Sequence, residues 1–597
     1  MRSPFARLAL GHALSAVMLA LAFPHPGWWW LAWVALVPAG WVELETRNAK
    51  LETRADTAAR RRFLATWLSR ASPFLTIWLI WSLWWFSRTA WVRGVSFPGW
   101  FVIAVVEGLF FAAAFAWFGW LSRQTKWPAA MLLPACWVSV ELLRVTQPFG
   151  GFGWFALGHT QGAWRVGQAS GLGLELLGGE LATSLVLAYF GGFVIDVARI
   201  KVATQFPGFR WMQAVVGGLI LIVLASIGLS MSLHASGASR SVRVAALQPD
   251  HPNDNSVPWS AELEASRWLD VVRLTVEAAE AGDVDVIVWP ESALPGAVNA
   301  AAREVAVPEE QAWWGYWGSR HYFRETMLVA EAAGLPIIAC GPGVEGVVER
   351  QVPDGQGGMR TARFPAQRTN SAYHIDPVEG LVDGVNDEGV AVDRYDKQHL
   401  VVAGETIPLG ETFPWWRKLI AETISPWGGD YTLDAGDSGV VFEVDVGGQD
   451  PVRIATPICY EIVSPGVVRD MVYGPTFGDT KRADLLTNLT NNGWYFGDSM
   501  RRQILQIATF RAIENRVPVV MSCNTGVSAV IDATGRIVAE LPMGTEGVLV
   551  ADVGLSDART WYGWWGRWPW WALMWAMVAW SAWLIWRGRR TRAAGGS

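Results

Sequence analysis

The chain has 597 residues, with 48 Lys and Arg against 54 Asp and Glu, for a formal net charge of −6. Charged residues make up 17% of it and AVILMFWYC 51%, against roughly 25% charged in an ordinary soluble protein, which excludes a wholly soluble or a disordered chain. Residues 1–240 hold 19 basic and 9 acidic side chains, 241–560 hold 24 and 45, and 561–597 hold 5 and 0; a middle this acidic lacks the basic groove that tracks phosphates, so a nucleic-acid binder is excluded.

Apolar stretches open the chain at 8–23, 28–42, 73–91, 99–121, 128–143, 173–197 and 211–233, and an eighth stands at 568–586. Several reach the roughly 20 residues that a bilayer core demands of a helix. Seven spans before the acidic segment and one after it are expected. Arg2, Arg7 and the first apolar run have the look of a cleaved leader, but six more runs follow, so the first is read as a retained span.

With the N-terminus in the cytoplasm, the cytoplasmic loops carry 14 of the 19 basic residues of this part, and Arg587, Arg589, Arg590 and Arg592 follow the last stretch. Basic residues stay inside, so the acidic middle is expected outside. Trp is counted 39 times against 10 Tyr, and clusters such as Trp28–Trp30 and Trp84–Trp85 fall near proposed span ends or within spans, anchoring at the membrane interface explaining most of them. Glu107, Glu141, Arg144, Glu175 and Glu180 fall inside apolar stretches, where an ionisable group is costly. Either they serve function, or Glu141 and Arg144 merely pair.

From 241 to 560 the pattern changes. Short β-rich runs at 242–247, 284–289 and 336–340 alternate with helical periodicity, an α/β signature. A helix is predicted from about Ser499 to Arg516, with Met500, Ile504, Ile507, Ala508 and Ala512 on one stripe, Pro518 stopping it and a strand at 519–523 following. The Gly- and Pro-rich stretches 341–358 and 427–439 read as loops. No P-loop or GxGxxG occurs, the eight His are scattered, and the four Cys lack metal-ligand or disulfide spacing, so no metal or organic cofactor is implied.

Three runs place one reactive residue each where a strand should end: Trp289-Pro-Glu291, Tyr395-Asp-Lys397 and Pro457-Ile-Cys459-Tyr-Glu461. Taken singly each has a plain reading: Cys459 as buried filler, Glu291 as a loop charge, Lys397 as a solvated side chain. Together they have another, since a thiolate is the reactive form of Cys, a Lys ammonium stabilises it and a carboxylate can take its proton. Cys136, Cys340 and Cys523 have no such company and read as structural.

Glu291, Lys397 and Cys459, in that order and in those contexts, resemble the nitrilase superfamily of carbon–nitrogen hydrolases. With the membrane-like stretches around them, the whole chain is similar to the apolipoprotein N-acyltransferase family. The likeness extends to 397–405, 491–494, 511–514 and 524–526, and in the first part to 137–144 and 152–161; Tyr495 stands as an insertion after Trp494. The resemblance implies an α/β fold, a nitrilase-like α-β-β-α sandwich inserted in an eight-helix membrane bundle, with a membrane domain at 1–240, a periplasmic catalytic domain at 241–560 and a last span with a basic tail at 561–597.

It implies a catalytic Glu291, Lys397 and Cys459, supported by Glu405, Tyr460 and Glu461, with Trp259 and Trp494 lining the substrate cleft. The activity implied is transfer of a fatty acyl chain from a membrane phospholipid, through a Cys459 thioester, to the α-amine of the S-diacylglyceryl cysteine of an apolipoprotein, in the bacterial inner membrane with both termini cytoplasmic. The alternatives are a membrane-anchored nitrilase or amidase in which water resolves the thioester, and a transporter with an external binding domain.

Overall fold

The structure is a computed structural model. It describes all of the chain except residues 1–3, 53–62, 149, 164, 167–168, 171–172, 201–207, 235–239, 252–259, 305–318, 354–357, 378–391, 403, 424–430, 449, 479, 496 and 595–597. The chain divides into two compact units. One comprises Met1–His234, Phe496–Gln506 and Trp565–Ser597, the other Ala235–Tyr495 and Ile507–Trp564.

The first unit is helical. It holds α1 (Pro4–Ala22), α2 (Ala32–Ala35), α3 (Val37–Glu52), α4 (Phe63–Arg88), α5 (Phe97–Gln124) and α6 (Ala129–Arg144), then a small pair β1 (Arg165–Val166) and β2 (Ala169–Ser170), and α7 (Glu175–Gly178), α8 (Glu180–Ile200) and α9 (Gly208–His234). Among the described residues, three helical segments are by themselves long and apolar enough to cross a membrane: Phe5–Ala22, Phe97–Gln124 and Glu180–Arg199; a shorter apolar segment is Val215–Ser230. The start of α5 is set locally, by the Ser96 hydroxyl accepting the Gly99 N–H at 3.1 Å.

The stretch expected as one span at 28–42 is not one helix. It contains a 3₁₀ turn at Trp29–Leu31, then α2, then α3. Pro38, the second residue of α3, has no N–H to give to the preceding turn, which suits the start of a helix. Trp84 and Trp85 also depart from the interfacial reading. Both are buried, within an aromatic cluster with Phe111 and Phe155.

Nor do Glu141 and Arg144 simply pair. Arg144 Nη1 lies 3.3 Å from Glu107 Oε2 and donates to the carbonyls of Phe152 and Trp154 at 2.8 Å each, with its guanidinium over the Trp85 ring. Glu141 accepts the Leu157 N–H at 2.7 Å, Glu175 the Thr183 hydroxyl at 2.8 Å, and Glu180 stands 2.6 Å from His159 Nε2. Each buried carboxylate thus has a polar partner, as the cost of burying charge requires.

Among the described residues, the second unit is built on twelve strands: β3 (Arg240–Gln248), β4 (Val286–Val288), β5 (Ile337–Pro353), β6 (Met359–Ile375), β7 (Asp393–Asp396), β8 (Val441–Val444), β9 (Val452–Ala455), β10 (Leu485–Thr490), β11 (Val519–Cys523), β12 (Ser528–Ile531), β13 (Ile537–Leu541) and β14 (Gly547–Leu555). They form two six-stranded mixed sheets, ordered β14-β3-β4-β5-β6-β7 and β13-β12-β11-β10-β9-β8. In the first, β3, β4 and β5 run parallel, joined by crossovers through α10 (Ala261–Glu280) and α11 (Ser319–Ala333). In the second, β9, β10 and β11 run parallel, joined through α13 (Pro465–Tyr473) and α14 (Asp498–Asn515), while α12 (Pro414–Thr423) precedes β8.

Crossovers of one hand put each helix pair on one face of its sheet. The opposite faces meet, as the Ser522 hydroxyl of β11 shows by lying 3.0 Å from the carbonyls of both Leu247 on β3 and Val288 on β4. The layers are therefore helix, sheet, sheet, helix. Trp268, Val271 and Leu274 from α10 and Phe323 and Met327 from α11 pack with Ile287 and Tyr373 into one buried core. The short α15 (Trp561–Trp565) and the long α16 (Trp568–Ala594) close the chain, α16 belonging to the helical unit.

The helix predicted at 499–516 is α14, its stripe of Met500, Ile504, Ile507, Ala508 and Ala512 all buried. The stretch 341–358, expected as a loop, is instead mostly strand. Gly341 pairs with Ser371 and Gly343 with Thr369 in the long hairpin of β5 and β6. Glycine is used there for closeness, since a Cβ on Gly343 would come within 2.3 Å of the Thr369 hydroxyl.

Candidate active site

Parallel strands end together, and the residues just past their carboxyl ends share one edge of the sandwich. Glu291 follows β4 after Trp289 and Pro290, where proline ends the ladder for want of an N–H. Lys397 follows β7 and extends its pairing, donating its backbone N–H to Asn370 O at 2.9 Å. Cys459 follows β9 and opens a 3₁₀ turn, Cys459–Val463.

These three side chains come together. Lys397 Nζ lies 3.8 Å from Glu291 Oε1 and 2.8 Å from Glu405 Oε1, and all three groups are largely shut off from solvent. The Cys459 thiol lies close enough to Glu291 and Lys397 to feel the charge of both. Cys459 has φ +51° and Ser292, next to Glu291, φ +63°. Left-handed backbone at non-glycine residues is strained, and its presence on both sides of one site marks conformations imposed by the surroundings.

Burial pushes the Cys459 thiol up to about 12, with the Glu291 carboxylate adding to the rise and Lys397 opposing it. At neutral pH the resting sulfur is therefore a thiol. Burial also raises Glu291 above the ordinary carboxylate range, Lys397 opposing and Glu405 reinforcing the shift. A carboxylate so raised is suited to exchange a proton with a neighbouring group. Lys397 is held well above its usual value because Glu405, Glu291 and Cys459 outweigh its desolvation. It is a fixed cation.

Glu405 and Glu461 differ in what they do. Glu405 binds the ammonium directly and also accepts the Val401 N–H at 2.8 Å. Glu461 touches neither the ammonium nor the thiol in its hydrogen bonds. Its Oε1 accepts the Tyr395 hydroxyl and the N–H groups of Gln398 and His399 at 2.8, 2.8 and 3.0 Å, and its Oε2 accepts the Ile458 N–H at 2.8 Å. It ties the loop after Lys397 to the residue before Cys459. Tyr460 stacks on His399, with ring centroids 5.5 Å apart, and its N–H belongs to the first turn after the sulfur.

Beside Glu291 opens a cavity of about 320 Å³, walled by Trp268, Leu294 and Trp494 and by Arg267 and Arg368. Trp494, expected to line the substrate cleft, lies in the wall of this cavity. Trp259, the other expected cleft residue, lies outside the described residues. Among the described residues no cluster of His, Cys, Asp and Glu could hold a metal ion.

Residues 243–562 match the model of the carbon-nitrogen hydrolase family, and residues 15–193 that of the apolipoprotein N-acyltransferase N-terminal domain. The chain belongs to the carbon-nitrogen hydrolase family.

Having both domains, it stands with the apolipoprotein N-acyltransferases in that family. The apolipoprotein N-acyltransferase of Chlorobaculum tepidum is 27% identical over 555 residues, covering 92% of this chain and 91% of its own. That of Geobacter metallireducens is 25% identical over 556 residues, covering 92% and 90%. Among solved structures, an amidase from Nesterenkonia aligns with 53% of this chain and 94% of its own at 18% identity and a TM-score of 0.32. A carbon-nitrogen hydrolase from Helicobacter pylori aligns with 53% and 89% at 14% identity and 0.32.

Some neighbours of this hydrolase-family site were not foreseen. Asn370 on β6 donates to Glu291 Oε1 at 2.8 Å and to Glu405 Oε1 at 3.2 Å. The Asn491 N–H donates to Glu291 Oε2 at 2.9 Å, and Asn524 Nδ2 steadies Asn491 Oδ1 at 3.1 Å. Asn488 Nδ2 reaches the carbonyls of Pro457 and Cys459 at 2.8 and 3.3 Å, bracing the turn that carries the sulfur. Tyr495, the inserted residue, has its phenol held above its usual range chiefly by burial, with the Glu291 carboxylate adding to the rise and Lys397 opposing it. Asn491, just past the end of β10, and Asn524 fall in stretches of family likeness, while Asn488 and Asn370 lie within strands and carried no sequence signal.

Proposed function

We propose that this protein transfers a fatty acyl chain from a membrane phospholipid to the N-terminal α-amine of the S-diacylglyceryl cysteine of apolipoproteins. What supports this reading is the meeting of Glu291, Lys397 and Cys459 in one buried cluster, in a chain whose N-terminal part matches the apolipoprotein N-acyltransferase domain.

In the first half-reaction Glu291 takes the Cys459 proton as sulfur attacks the ester carbonyl. Lys397 and the Tyr460 N–H stabilise the oxyanion. The carbon–oxygen bond breaks, Glu291 returns its proton to the leaving oxygen, and a lysophospholipid departs from a Cys459 thioester. In the second half the α-amine attacks that carbonyl and gives a proton to Glu291. The carbon–nitrogen bond forms, the carbon–sulfur bond breaks, and sulfur recovers the proton. An amide is more stable than a thioester, so transfer runs forward.

The thioester must wait for its amine without meeting water, which a buried site provides. We place the protein in the bacterial inner membrane with eight spans, both termini cytoplasmic and the catalytic unit in the periplasm, from the basic residues gathered on one side. The test is intact mass of the detergent-purified protein given phospholipid and then a diacylglyceryl-cysteine peptide. A fatty-acyl adduct absent from Cys459→Ala and discharged onto the peptide amine is expected. Discharge by water alone points to a hydrolase, and no adduct from any phospholipid refutes the acyl donor.

A further inference from the structure

Glu291 and Glu405 share one ammonium, at 3.8 and 2.8 Å. Two carboxylates so placed repel, and one of them is driven toward its protonated form. A protonated Glu291 could not receive the thiol proton. The Asn370 amide donates to Oε1 of both carboxylates, at 2.8 and 3.2 Å.

The orientation of this amide follows from its surroundings. Carboxylates only accept, so the NH₂ must face them and Oδ1 must point away. There the Cys340 thiol of β5 donates to Oδ1 at 3.4 Å. The backbone of the same residue is fixed as well, by pairing with Pro342 on β5 and by accepting the Lys397 N–H at 2.9 Å. Asn370 thus touches the base, the second carboxylate and the chain of the cation, and a buried cysteine outside the catalytic set orients it.

We propose that Asn370 is a positioning residue for Glu291, its amide, set by Cys340, bridging the two carboxylates so that Glu291 stays ionised and aimed while Lys397 is shared. This rests on the reading of Glu291 as the base. The titratable groups facing Glu291 are Lys397 and Glu405 from the segment after β7, Cys459 from its turn, Cys340 from β5 and Tyr495 after the turn that follows β10. The Asn370 hydrogen bond acts on Glu291 in the lowering direction.

The experiment follows the pH dependence of kcat/KM for Cys459 acylation, with p-nitrophenyl palmitate and with phospholipid, in the full-length protein in detergent. A hydrogen bond to a charged acceptor corresponds to roughly one pH unit. In Asn370→Ala the acid limb is expected to move up by about one unit, with a roughly tenfold loss below it and little change on the plateau above. Cys340→Ala, which frees the amide to turn, moves the limb the same way by less. A limb unmoved in a folded Asn370→Ala, with the rate lowered equally at every pH, overturns the proposal; if that variant does not fold, the limb of Asn370→Ser decides by the same criterion. An activated ester acylates the cysteine whatever its natural donor. Acylation of wild type by the ester but not by phospholipid therefore strikes the donor reading and leaves the Asn370 comparison intact.

Discussion

Glu461→Gln tests whether a residue that touches none of the reacting groups governs the placement of the sulfur. The carboxylate accepts four hydrogen bonds, three of them from backbone N–H groups that can only donate. Burial raises its pKa, while the bonds from Ile458 and His399 favour the charged form. Glutamine keeps the shape but offers one oxygen and one NH₂. The oxygen would stay with Tyr395, Gln398 and His399, leaving the NH₂ against the Ile458 N–H.

A buried donor left unsatisfied costs about 1–3 kcal/mol, and the three remaining bonds lose the strengthening of a charged acceptor. The sum is about 3 kcal/mol. Expressed wholly in the position of Cys459, it corresponds to a roughly hundredfold fall in the acylation rate. The assay is single-turnover acylation followed by intact mass, with thermal unfolding in detergent alongside. An acylation rate within about threefold of wild type, with an unchanged unfolding temperature, would refute the reasoning that Glu461 braces the nucleophile's turn.

The pH dependence of wild-type acylation carries its own sign. Glu291 must be ionised to accept the thiol proton and its pKa is raised, so the rate should fall as pH drops through a limb above the ordinary carboxylate range; a plateau extending down to pH 4.5 would contradict Glu291 as the base. Cys459→Ala should abolish the acyl adduct while leaving the unfolding temperature within a few degrees, because one sulfur is a small part of the core. In the helical unit, Arg144→Leu strands Glu107 and the carbonyls of Phe152 and Trp154, a loss of about 3–5 kcal/mol that should lower the unfolding temperature markedly. Adding Glu107→Gln should recover part of it, and no recovery would mean that the pair is not what Arg144 is held by.

Much of this was legible in the residues. Trp289-Pro-Glu291 and Pro457-Ile-Cys459 read as strand ends because proline stops a ladder, and local chemistry of that kind survives into any fold. The helix α14 was legible for a similar reason: a buried stripe at helical spacing and a proline stop state both its type and its end. The apolar runs announced a membrane protein by length and composition alone.

What the tertiary structure decided depends on partners far apart in the chain. The stretch 341–358 looked like loop because glycine and proline disfavour strands, and pairing with 359–375 overrode that preference. Glu107 meets Arg144 across 37 residues, where the sequence offered the nearer Glu141. Asn370 is 79 residues from Glu291 and 35 from Glu405, and nothing about an asparagine within a strand tells which carboxylates it will face. Sequence determines which groups are able to do chemistry, through side-chain type and the local ends of strands. Distances of 2.8 to 3.8 Å between those groups follow only from the register of two sheets, which is set by the packing of the whole unit.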